Sequence, residues 1–283
     1  RQGEYMSADP QTDSIVPARS NRDIRAELLL TFGRLHNRWL GGRHNPDVEP
    51  TLLCFTYAGG AAAAFRGWED VLSANVRPIL LPGRDSRMDE SPYTRLKHVI
   101  SDLTDHVGSQ ITSRTVVFGH SMGALLAFEF TRELRRRQLQ LPVKLLLSAF
   151  RAPHLDNPKR PIHRWPDEVL KAVLRKEGVP SATLQNAQIM EALLPTLRAD
   201  LELCDTYEYV DEAPLAVPFA IYGGTDDIRV TEAALKAWDR HTSEGVSHTM
   251  INGPHLFINT SRDELLAAVE RDLPTECGDD NAC

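Results

Sequence analysis

Thr115-Val116-Val117-Phe118-Gly119-His120-Ser121-Met122-Gly123-Ala124-Leu125-Leu126-Ala127-Phe128-Glu129-Phe130 reads as a buried strand, a sharp turn and a helix. The apolar run is β-branched and short, and the residues after Gly123 are rich in helix formers. A serine in Gly-x-Ser-x-Gly at such a junction sits on a strained turn, where side chains at the glycine positions would strike the neighbouring strand and helix. The turn lifts the Ser121 hydroxyl clear of the sheet. It also sets the Met122 N–H at a helix start, where partial positive charge can meet a developing oxyanion. Composition alone would produce the pattern in roughly one chain in ten of this length, so the strand before it and the helix after it carry the weight.

On either side of this stretch, apolar or β-branched runs recur at Thr51 to Tyr57, Arg77 to Leu81, Lys144 to Ala149, Phe219 to Tyr222 and Ser247 to Ile251, with helically spaced segments between them. Near-continuous apolar strands alternating with helices predict an α/β fold, a mostly parallel sheet flanked by helices on both faces. The last helix, Arg262 to Leu273, is expected to be capped by Thr260 or Ser261 and stopped by Pro274. The alternation breaks once, at about 153–207, where helical segments follow one another without a strand. Asp167 to Glu177 ends at Gly178, and Pro195 is expected to start another helix running through Leu203. Such an insertion, above the carboxyl ends of the strands, can act as a lid, and extra core is the plainer alternative.

The ends differ in character. Residues 1–36 read as an N-terminal extension, polar and disordered to Pro17. From Asp23 onward Ile24, Leu28, Phe32, Leu35 and Trp39 fall at helical spacing and predict an amphipathic helix. The tail, residues 274–283, lacks periodicity and is expected to be disordered. The remaining 37–273 form one domain, which suits a chain of 283 residues that is 42% apolar.

With 32 basic against 39 acidic residues, net −7, nothing calls for nucleic acid or an anionic membrane as partner. There is no apolar stretch of about 18 residues and no signal-peptide core, so the expectation is a soluble, cytoplasmic protein acting on small molecules. Cys54 and Cys204 lie in strand-like and helical runs and read as reduced core residues. Cys277 and Cys283, in the tail, have no nearby histidines, so no metal is expected.

A serine hydroxyl becomes a nucleophile when a histidine takes its proton and a carboxylate holds that histidine. The order expected with this elbow is Ser, acid, His. Phe219 to Tyr222 runs into Gly223-Gly224-Thr225-Asp226-Asp227, which puts an acid at a strand's carboxyl end. Ser247 to Ile251 runs into Asn252-Gly253-Pro254-His255, which does the same for a histidine. His248 lies inside a strand, so the loop position favours His255. Either Asp226 or Asp227 could be the acid, the other capping the turn or the helix that starts near Thr231. His120 reads as a packing and hydrogen-bonding residue, because adjacent residues on an elbow point apart. Thr56-Tyr57-Ala58-Gly59-Gly60-Ala61, after the first strand, has the small residues that let backbone approach a substrate, and the Ala58 N–H is the expected second oxyanion donor beside Met122. That loop lacks both Gly-x-Gly-x-x-Gly and Gly-Lys-Ser/Thr, which excludes dinucleotide and Walker readings.

Several segments in order resemble the type II thioesterases of polyketide synthases and nonribosomal peptide synthetases. They are Leu52 to Gly60 with Phe65 and Trp68; Leu81-Pro82-Gly83-Arg84-Asp85-Ser86-Arg87; Gly119 to Ala124; Ser148 to His154; and Leu197 to Leu203. The family's acid motif, Gly-Gly-x-x-Asp-Pro-x-Val, corresponds to Gly223 through Val230, with Ile228 in place of proline, and this selects Asp227. Gly253-Pro254-His255-Leu256-Phe257-Ile258 is similar to the histidine motif, with Pro254 where glycine is usual, and Thr56 stands where the first loop usually has proline. The resemblance covers about 37–273. It implies an α/β-hydrolase fold with a helical lid, a Ser121-His255-Asp227 triad with Met122 and Ala58 as oxyanion donors, and no metal or organic cofactor. It also implies an acyl or peptidyl carrier protein bearing acyl-phosphopantetheine as partner of an editing enzyme; a monomer is the separate expectation for its assembly. Basic side chains near the lid, Arg160, Arg164, Lys171 and Arg175, could meet an acidic carrier helix, and a solvated helix face is the plainer reading. A chain-releasing or cyclising thioesterase or a small-ester hydrolase would use the same triad, and a binding module would keep the fold without the chemistry.

Overall fold

The computed structural model describes residues 37–156 and 161–274. Its strands are β1 (Thr51–Phe55), β2 (Asn75–Pro78), β3 (Thr115–His120), β4 (Lys144–Ser148), β5 (Phe219–Gly224) and β6 (Val246–Ile251). They form one sheet in the order β2-β1-β3-β4-β5-β6, parallel at every pairing. Each expected run carries a strand, although β2 starts at Asn75, two residues before the expected Arg77 to Leu81 run, and stops short of Leu81. The second ends at Pro78, which cannot donate to a ladder and is tolerated because β2 is an edge.

Strand residues alternate between two apolar layers. Leu53, Phe55, Val117, Leu145, Leu147 and Ile221 face one, while Leu52, Cys54, Val116, Phe118, Leu146 and Tyr222 face the other. Both faces are therefore covered, as a parallel sheet requires. Helices α1 (Leu96–Val107) and α2 (Met122–Arg136) supply Leu103, Leu126 and Phe130 to the first layer. Burying each such side chain contributes about 1.5–3 kcal/mol.

Between β4 and β5 lie α3 (Asp167–Lys176), α4 (Ser181–Gln185) and α5 (Ala187–Asp205), with α3 and α5 joined by a small cluster of Leu170, Leu197 and Leu201. Helix α5 starts well before Pro195, contrary to the sequence expectation. Asn186 caps it by accepting from the Ile189 N–H at 3.1 Å, and Pro195 sits inside the helix on its exposed side.

After β5 come α6 (Glu232–Lys236), α7 (Phe257–Thr260) and α8 (Arg262–Asp272), and α8 supplies Leu265, Leu266 and Val269 to the second layer. Ser261 holds the N-cap position of α8 without a side-chain cap, because its hydroxyl donates to the Asn252 carbonyl instead. Trp39 is not helical. It lies in a turn, buried, with Leu40 bridging to Ile79 and the Arg87 guanidinium 4.2 Å from its ring centre. The expectations for residues 1–36, for Arg160 and for the tail with Cys277 and Cys283 lie outside the described residues. Among the described residues no helix is long and apolar enough to cross a membrane.

The chain order places the site. β1 has β2 on one side and β3 on the other, so the direction of winding reverses there and the loops leaving β1 and β3 part to make a crevice.

Candidate active site

Ser121 ends the turn between β3 and α2 with φ 54° and ψ −120°, a conformation that costs a non-glycine residue energy and holds only where the surroundings enforce it. Two contacts enforce it. A Cβ on Gly119 would lie 2.1 Å from the Gly123 carbonyl oxygen, and one on Gly123 would lie 2.2 Å from that of Phe55. The elbow is therefore pressed directly against β1.

The three residues expected from the sequence converge. Ser121 Oγ is 2.8 Å from His255 Nε2, and His255 Nδ1 is 2.7 Å from Asp227 Oδ2. With Nδ1 protonated toward the carboxylate, Nε2 is left to accept the serine proton. Asp227 does two tasks at once: its other oxygen accepts from the N–H groups of Arg229 at 2.8 Å and Val230 at 3.2 Å. Burial opposes ionisation of Asp227, but the hydrogen bond and charge of His255, with those two N–H groups, hold its carboxyl below the usual range. Asp226 is exposed, and Thr231 caps α6. His248 pairs with Asp239 at 2.8 Å, away from the serine.

His120 is fully buried. Its Nδ1 lies 2.9 Å from Ser148 Oγ and its Nε2 lies 2.9 Å from the His255 carbonyl oxygen, so it braces the backbone of the residue that faces Ser121. Burial pushes its imidazole down to about 3, which keeps it neutral.

Two cavities meet at Ser121 and His255. One, of about 290 Å³, is walled by Leu170, Val173, Leu174, Leu193, Leu197 and Leu201 of the helical insertion. The other, of about 570 Å³, includes Met122, Arg151, Lys176 and Arg229. Ala58 lines both. The insertion therefore roofs the serine. Of the basic side chains noted in the sequence, Lys171 pairs with Glu168 at 2.8 Å, while Arg164 and Arg175 are exposed.

Two ion pairs here have no counterpart among the sequence expectations. Arg229 holds Glu177 at 2.7 Å, linking the acid loop to the end of α3. Arg84 and Asp200 form a buried pair against the Ala58 loop. Arg84 and Asp200 both lie in segments that carry the family resemblance, which is the one signal the sequence offers for them.

The sheet order, the elbow and the roofing insertion define an α/β-hydrolase fold. Residues 50–273 match the thioesterase domain family, and the chain belongs to that family; it is a hydrolase acting on thioesters. It is 36% identical to the linear gramicidin dehydrogenase of Brevibacillus parabrevis, over 84% of this chain and 93% of that protein. The dinucleotide motif is absent after β1, where Ala58-Gly59-Gly60-Ala61 stands. Among solved structures, a thioesterase from the prodiginine biosynthetic pathway of Streptomyces coelicolor is 36% identical with a TM-score of 0.74, covering 82% of this chain and 94% of that one. A type II thioesterase from the borrelidin biosynthetic cluster is 28% identical with a TM-score of 0.76, covering 83% and 98%.

Proposed function

We propose that the protein is a type II, editing thioesterase that hydrolyses acyl groups from the phosphopantetheine arm of acyl or peptidyl carrier proteins. The observation that carries the reading is the Ser121-His255-Asp227 relay, with contacts of 2.8 and 2.7 Å, opening on an apolar cavity. His255 Nε2 takes the Ser121 proton as Oγ attacks the thioester carbonyl carbon. The Met122 and Ala58 N–H groups hold the oxyanion. The C–S bond breaks, the thiol leaves with the proton from His255, and the acyl group stays on Ser121. His255 then deprotonates water, which attacks the acyl-enzyme and releases the acid, returning the proton to Ser121. Every proton is accounted for by these side chains and water.

The relatives named for biosynthetic pathways support a carrier-bound substrate. The test compares hydrolysis of acyl-carrier, acyl-thiol and oxygen-ester substrates, with intact-mass detection of acyl-Ser121. The reading expects carrier thioesters to be preferred, an acyl adduct on the wild type, none on Ser121→Ala, and a loss of turnover of about 10⁴-fold or more in that variant. Preference for oxygen esters, with no gain from the carrier, overturns it.

A further inference from the structure

We infer that Arg84 and Asp200 are a positioning pair for the oxyanion hole, through which helix α5 of the insertion sets the direction of the Ala58 N–H. The inference rests on the reading of Ala58 as an oxyanion donor. Asp200, on α5, accepts from the Gly59 N–H at 2.8 Å, one residue beyond Ala58. Arg84 grips the same carboxylate with both terminal nitrogens, at 2.7 Å each, and donates to the Gly60 carbonyl at 3.0 Å. The Ala58–Gly59 and Gly60–Ala61 peptide groups are thus tied to one ion pair.

The geometry leaves the loop little freedom. Gly59 has φ +72°, and a Cβ there would meet Leu193 and Leu197 of α5 at 3.2 and 3.1 Å. Thr196 of α5 donates to the Gly83 carbonyl at 2.9 Å, which fixes the segment bearing Arg84 to the same helix. Arg84 and Asp200 are 7% and 2% exposed. Desolvation makes a buried ion pair a poor source of stability, and well-packed apolar residues often replace one without loss. What apolar residues could not supply is a fixed acceptor for the Gly59 N–H and a fixed donor for the Gly60 carbonyl. A donor displaced by a few tenths of an ångström loses most in the transition state, where the oxygen carries full charge.

The test uses the full-length chain and the double variant Arg84→Met/Asp200→Leu, which removes both charges together, with Arg84→Lys as a milder second variant that keeps the charge and loses the fork. Three quantities are read: kcat and KM on an acyl-carrier thioester, affinity for a trifluoromethyl ketone that Ser121 converts to an oxyanion-bearing hemiketal, and affinity for an inert thioether analogue. The expected result is a fall in kcat of about 10- to 100-fold in the double variant and less in Arg84→Lys. The trifluoromethyl ketone should weaken in parallel, while KM and thioether affinity stay within about twofold. Turnover within about twofold of wild type in the folded double variant overturns the inference, as does a larger loss in Arg84→Lys than in the double variant, or equal weakening of ketone and thioether, which is the mark of a pocket-building role. If the wild type itself binds the ketone no better than the thioether, the oxyanion reading fails rather than the pairing.

Discussion

Asp227 and Asp226 are neighbours with opposite fates, and the difference is one of surroundings. Asp227 has a side chain with no exposure, faces His255 and accepts two backbone N–H groups; Asp226 faces solvent. Asp227→Asn should lower kcat about 10⁴-fold, because an amide no longer fixes the imidazole tautomer, whereas Asp226→Asn should stay within about twofold. Steady-state kinetics on one thioester substrate separates the two, and similar losses would refute the assignment. Ser121 and His255 are legible in the sequence because each lies in the turn or loop that leaves the carboxyl end of a strand, Ser121 immediately after β3 and His255 four residues after β6. The choice between the two aspartates needs the family's spacing, because the loop alone offers two acids one residue apart. Arg84 and Asp200 are not legible as partners, because they are separated by 116 positions and only the packing of α5 brings them together.

The four inner strands are legible because each is a short, mostly apolar run that a parallel sheet buries on both faces, whereas the edge strands β2 and β6 carry polar residues and are marked less clearly. The start of α5 is not, because Pro195 looks like a first-turn residue, while the true start rests on the Asn186 cap. A proline inside a helix removes one hydrogen bond and disturbs the preceding turn, at about 3 kcal/mol against alanine. The helix forms because Met190, Leu197, Leu201 and Leu203 are buried along it. Pro195→Ala should therefore stabilise the protein by about 1–3 kcal/mol, since Pro195 is exposed and alanine adds no clash. Denaturant unfolding checks this; an unchanged or lowered midpoint would mean that the ring contributes packing that the helix needs.

Two buried histidines couple the stability of the fold to acid. Burial pushes His120 down to about 3; burial, and then the neighbouring His154, push His241 down to about 4. Unfolded histidine titrates near 6.5, so between about pH 6.5 and 4 the unfolded chain binds protons that the folded chain refuses. Stability is linked to that difference and falls as pH falls, by up to about 1.4 kcal/mol per pH unit for each group. Carboxylates held low by partners, Asp227 and Glu212 among them, act in a separate window: their contribution is present above about pH 4 and is lost below it. The two windows are separable by substitution. His120→Gln can still donate to the His255 carbonyl but cannot titrate, so its unfolding free energy should decline less steeply than that of the wild type between about pH 6.5 and 4, by up to about 1.4 kcal/mol per pH unit. Urea melts of both proteins across that range give the two slopes, and equal slopes would show that His120 is not held neutral by the fold.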